Sequence, residues 1–155
     1  MIRFFCCKRL AAVAAAVGLS VFIVTGALAA SEINASSGGV AIEGTDPVAY
    51  FREGKALKGS ASFTHSWKGA TWRFQNKDNR DAFAAAPEKY EPQFGGYCAW
   101  AVSQGYTAPI DPEAWTIHDG KLYLNYSKGV RANWSQDIPG NIAKAGKNWP
   151  KVLDQ

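Results

Sequence analysis

Cysteine is almost missing from this chain. Three occur in 155 residues, and two of them, Cys6 and Cys7, stand near the N-terminus, so Cys98 is the single thiol of the remainder. One thiol forms no intramolecular disulfide, so no disulfide framework staples the fold. There is no Cys-x-x-Cys pair, which excludes a thioredoxin-like redox motif and a c-type haem attachment site. No Gly-x-Ser-x-Gly occurs, which excludes a nucleophile elbow, and no glycine-rich phosphate loop is present. Positive charge is scarcer than it looks. The formal net charge is +4, and setting aside Arg3, Lys8 and Arg9 leaves +1. No Lys/Arg cluster remains to follow a phosphate backbone, so nucleic acid is excluded as a partner.

Those three cations belong to a recognisable leader. Met1 to Arg9 is basic and free of acids, Leu10 to Val24 is apolar, and Ala27-Leu28-Ala29 supplies the small residues of a cleavage site. This pattern reads as a secretory signal peptide over residues 1–29. It predicts a periplasmic or secreted protein with no membrane association after cleavage. Leu10 to Ala30 is also about the 20 residues that cross a bilayer, so an uncleaved N-terminal anchor is the alternative.

What is present in quantity is aromatic. Six Trp, six Tyr and eight Phe, most of them after residue 30, allow a substantial core in a small domain. The remaining chain of about 125 residues has single-domain length. Residues 30–39 are polar and read as a flexible lead-in, and 40–155 as the folded domain. Val40 to Glu43 is a short strand candidate, followed by a Gly44-Thr45-Asp46-Pro47 turn. Ser60 to Trp67 alternates, with Phe63 and His65 on one face. It returns through Lys68-Gly69 into Thr71 to Phe74 as a β-hairpin. Asn76 to Ala86 predicts a helix with Phe83 and Ala84 inward, stopped by Pro87. Tyr97 to Ser103 predicts a second helix ending at Gly105. Asp119-Gly120 between Trp115–Ile117 and Lys121–Asn125 signals a second hairpin. Val130, Trp134, Ile138 and Ile142 recur four apart, and Pro139-Gly140 divides that stretch into two short helices. Two hairpins among several short helices, without a strand–helix–strand rhythm, predict a small single-domain α+β fold.

Six segments occur in order: Asp46-Pro47-Val48-Ala49-Tyr50-Phe51, Thr64-His65-Ser66, Asn79-Arg80-Asp81-Ala82-Phe83, Pro87-Glu88-Lys89-Tyr90-Glu91-Pro92, Gly95-Gly96-Tyr97-Cys98-Ala99 and Gly120-Lys121-Leu122-Tyr123-Leu124-Asn125-Tyr126. In these the chain resembles the YHS-domain proteins, specifically their exported bacterial branch, over roughly Val40 to Leu153. The motif that names the family reads Thr64-His65-Ser66 here, with the tyrosine replaced. The resemblance implies a small metal-associated module of the kind found in metal-transporting ATPases and metal-sensing regulators. Those modules often carry several cysteines, whereas this chain keeps Cys98 alone, short of the four ligands of a closed zinc site.

Cys98 with His65 is the strongest chemical pair in the sequence. A thiolate and an imidazole suit copper or zinc, and the glycine pair before Cys98 places it near the positive end of a helix dipole. The alternative is a buried, inert cysteine in a structural or protein-interaction module. A third reading makes Cys98 a nucleophile, for which no base and orienting group can be named. Tyr97 and Tyr50 are core residues with polar handles, or they line a small-ligand pocket. Asp46 caps a turn through its side chain or contributes to a ligand site. Tyr90, Tyr123, Tyr126, Trp115, Trp134 and Trp149 read as core, Arg80 as an ion-pair partner, and His118 as solvent-exposed beside its turn. The expectation is a non-catalytic metal- or small-ligand-binding module, with Cys98 and His65 as metal ligands and Tyr97, Tyr50 and Asp46 around a ligand.

Overall fold

The structure, a computed structural model, describes residues 30–155. The expected signal peptide over 1–29 lies outside the described residues. Among the described residues, no helix is long and apolar enough to cross a membrane.

The fold is α+β, with two separate antiparallel hairpins and short helices packed between and around them. The first hairpin joins β1 (Ser60–Trp67) to β2 (Ala70–Phe74). Its turn residues Lys68 and Gly69 both have positive φ, 48° and 74°, the conformation that matches the twist of a two-residue hairpin. In register, His65 lies opposite Trp72, and the pairing shifts between Ser60 and Thr64. The second hairpin joins β3 (Asp111–His118) to β4 (Lys121–Asn125) through Asp119-Gly120, with Trp115 opposite Leu124.

Helix boundaries follow local chemistry. Helix α1 (Pro47–Arg52) starts with proline in its first turn and Asp46 as N-cap, so the apolar Val48 to Phe51 stretch is helical. Helix α2 (Lys77–Ala85) is capped by Asn76, which accepts the Asn79 N–H at 2.8 Å. Pro87 ends α2 and opens α3 (Pro87–Tyr90), since proline has no N–H for the preceding helix and none is needed in the first turn of the next. Helix α4 (Ala99–Gln104) is capped by Cys98 and closed by left-handed Gly105. Helices α5 (Lys128–Trp134) and α6 (Ile138–Asn148) are separate as expected. The break falls at 135–137 rather than at Pro139-Gly140, because Pro139 fits the first turn of α6.

Three expectations are corrected. Val40 to Glu43 is not a strand: Val40 and Ala41 make single bridges to Thr71 and Ala35, and Ile42–Gly44 turns as a 3-10 segment. That turn buries Ile42 completely, which an exposed edge strand would not do. Ala84 faces solvent, while its neighbour Phe83 is fully buried. A 100° step between helical neighbours separates the two faces. The lead-in over 30–39 is tied down. Ile33 is buried. The Asn34 N–H donates to the Gly95 carbonyl at 2.8 Å, and the Tyr97 hydroxyl donates to the Ser31 carbonyl at 2.8 Å.

The main core lies between the first hairpin, α1 and α2, where Trp72, Phe74 and Phe83 stack, and it runs on to Leu122, Leu124 and Cys98. Smaller clusters form where α4 meets α6, around Val102, Ala145 and Val152, and where Ala99 and Tyr123 meet Trp134. Cys98 thus stands at the seam between the two halves of the fold.

Candidate functional site

Gly95 and Gly96 bring the chain into position for Cys98. Both have positive φ, 61° and 79°, which glycine adopts without steric cost. Gly96 passes against Ile42 and Gly95 against the Glu32 carbonyl, so neither leaves room for a Cβ. Beyond the turn, the Cys98 backbone bridges Leu124 in parallel, and its N–H donates to the Ala108 carbonyl at 3.1 Å.

The sulfur is enclosed by hydrogen bonds. Cys98 is 1% exposed. Its Sγ accepts the Ala101 N–H at 3.5 Å, as a cap for α4, and the Tyr126 N–H at 3.3 Å. The thiol is directed at Asn125 Oδ1, 3.8 Å away, and that oxygen also accepts the Trp100 N–H at 3.1 Å. Asn125 is itself fully buried. Its carbonyl oxygen and the Cys98 sulfur therefore take up helix-terminal N–H groups that would otherwise be unpaired. The cysteine acts as a cap, a role usually given to Ser, Thr, Asp or Asn.

One face of this arrangement opens to solvent. Cys98, Trp100 and Ala101 form the wall of a concavity of about 230 Å³. Tyr106 and Ala108, from the segment after α4, Tyr126, just after β4, and Val130, in the first turn of α5, complete it. Tyr106 and Tyr126 are 50% and 57% exposed, the two large apolar side chains left in solvent among the described residues. Tyr126, expected in the core, stands instead on the rim. Its chain direction is set by the N–H bond to the sulfur, which points the side chain outward.

The expected partners Cys98 and His65 stand on different elements. His65 sits on β1, where its ring meets the edge of Phe83 at 6.0 Å, and β1 packs on β2 and α2. Cys98 opens α4, which packs on α6, β4 and α5. Among the described residues, no three His, Cys, Asp or Glu side chains converge. The polar atom facing the sulfur is an amide oxygen, a hard donor unsuited to a copper–thiolate site. The hydrogen-bond partners of the sulfur supply no second soft ligand for copper or zinc. Nor does a base stand beside Sγ, whose hydrogen-bond partners are two backbone amides and Asn125.

The other expected ligand residues are also apart from the concavity. Tyr50 is buried and donates its hydroxyl to the Pro112 carbonyl at 2.9 Å, with its ring against Trp115. Burial, reinforced by the nearby Glu113 carboxylate, pushes its phenol above the usual range, so it remains a donor. Tyr97 spends its hydroxyl on Ser31 and its ring on Trp149, and burial pushes its phenol up as well. Asp46 is wholly buried. One of its oxygens accepts the Val48 and Ala49 N–H groups, the other the Gln75 N–H and the Asn79 amide. Four donors occupy it as a structural group. Arg80 pairs with Asp81 at 2.7 Å. His118 is half-buried, 3.5 Å from the Asp119 carboxylate.

The recess residues that the sequence did not mark as a site are Trp100, Ala101, Tyr106, Ala108 and Val130, with Asn125 behind the sulfur. The one available signal was Asn125, a polar residue closing an apolar strand next to a tyrosine. No family model, no curated protein and no solved structure matches the chain.

Proposed function

We propose that this is an exported, YHS-like module that binds a small apolar ligand without chemical turnover, in the concavity walled by Cys98, Trp100 and Tyr126. The observation that carries the reading is the clustering of exposed aromatic surface. The two large apolar side chains in solvent among the described residues, Tyr106 and Tyr126, both rim one recess that reaches down to the buried thiol of Cys98. Apolar recesses with a few fixed polar groups behind them are the usual form of small-molecule sites. The sulfur serves this site as a packed wall and helix cap.

A nitrogen-resolved NMR titration with toluene tests it. Saturable shifts are expected at the amides of Ala101 and Tyr126, which bond to the sulfur, and at Val130. Zinc or Cu(I) added to one equivalent should leave the same amides and His65 unmoved. Toluene without effect at these positions, or a stoichiometric metal response linking Cys98 to His65, overturns the proposal. The same rim would also receive an apolar side chain of a protein partner, the reading of the domain as an interaction module. Shifts produced by a protein at the rim, with none from toluene, would favour that alternative.

A further inference from the structure

The chemistry of the pocket wall narrows what enters it, and this step rests on the reading just given. None of the residues lining the recess carries a charge. The polar side-chain groups among the lining residues are two tyrosine hydroxyls, an indole and a thiol. The thiol is already engaged with Asn125, Ala101 and Tyr126. The aliphatic part of the wall consists of Ala101, Ala108 and Val130, small side chains that leave a broad slot beside the aromatic ones. The volume is about 230 Å³. For scale, a dry apolar cavity of about 150 Å³ holds one benzene.

We propose that the ligand is an uncharged molecule presenting a single aromatic ring with one or two small substituents, taken up between the tyrosine rim and the Cys98–Ala101 wall. Charge decides against ions. A carboxylate or ammonium moved into this recess loses hydration and meets no counter-charge. Size sets the upper bound, since a ring with a long polar chain would leave that chain in solvent. Tyr106 and Tyr126 can close over a flat ring with offset or edge contacts, which aromatic pairs prefer to a face-to-face sandwich.

Three fluorinated probes with a common ring separate the possibilities: 4-fluorotoluene, 4-fluorobenzoate and 4-fluorobenzylammonium. Each is titrated by fluorine NMR into the protein and into two variants, Ala108→Phe, which fills the slot, and Tyr126→Ala, which removes half of the rim. The neutral probe is expected to bind at least about tenfold more tightly than either ion. Ala108→Phe should abolish that binding, and Tyr126→Ala should weaken it several-fold. The ammonium probe is included because aromatic faces attract cations. Benzoate or benzylammonium binding as tightly as fluorotoluene, in a manner that the variants abolish or weaken, overturns the neutral-ring assignment while the site stands. No binding by any probe, or binding indifferent to both variants, overturns the site itself. Tyr126 is exposed, so its replacement leaves the core intact and keeps the test decisive should Ala108→Phe fail to fold.

Discussion

Replacing Gly95 by alanine is expected to destabilise the protein by about 3 kcal/mol or more, an effect at the severe end for a single methyl group. Two costs combine. The backbone there has φ 61°, a left-handed conformation that costs an L-residue about 1–2 kcal/mol. The added Cβ would also overlap the Glu32 carbonyl and press on the Trp149 ring. Both neighbours are fixed, because Asn34 bonds to the Gly95 carbonyl and Trp149 packs against Phe94 and Tyr97. Gly120 is the control. It has φ 71°, and no atom lies near where its Cβ would be, so Gly120→Ala should show the backbone cost alone, about 1 kcal/mol. Urea unfolding of both variants measures the difference. Equal losses would mean that residues 30–36 do not seat against the glycine turn.

Removing the Asp46 carboxylate carries the second large effect. Asp46→Ala is expected to cost about 3–5 kcal/mol, since buried donors left without an acceptor cost about 1–3 kcal/mol each. Four donors lose their acceptor together: two N–H groups at the start of α1, the Gln75 N–H, and the Asn79 amide. Asn79 in turn accepts from Arg52 at 2.9 Å, so the loss loosens α1, α2 and the end of β2 at once. Asn76→Ala, which removes a single cap bond from α2, should cost about 1 kcal/mol. Thermal or denaturant unfolding of the pair checks the ratio. An Asp46→Ala protein as stable as Asn76→Ala would show that the carboxylate is spare and free to bind a ligand.

These two sites show what was legible in the sequence. The Asp-Pro pair announced a cap by residue type, and the structure adds only its extra partners from β2 and α2. The hairpins were legible for a similar reason. Lys68-Gly69 and Asp119-Gly120 require backbone angles that few residues adopt, so turn chemistry identified both. Val40 to Glu43 was not, because its conformation is imposed from outside: Ile42 is drawn into the core while the lead-in and β2 hold the residues beside it. Composition alone made the lead-in look loose, yet Ile33, one apolar residue in a polar stretch, anchors it.

The candidate site was legible only at its centre. Cys98 stood out as the single thiol after the N-terminal segment, but its environment comes from Leu124 and Asn125, on a strand that meets it through a parallel bridge, and from Tyr126 just beyond that strand. Such a contact, 26 residues apart for Cys98 and Leu124, leaves no periodicity to read. The pairing with His65 was inferred from chemical type, and type does not bring two side chains together. His65 instead completes the aromatic packing of Phe83.

Anomalous diffraction from a crystal soaked in bromobenzene tests the central claim most directly, since bromine and any endogenous metal both scatter anomalously. The account predicts a bromine peak in the recess between Tyr106, Tyr126 and the Cys98 wall, with no metal peak at the sulfur. A recess without bromine, or a metal bound to Cys98 Sγ, would contradict it.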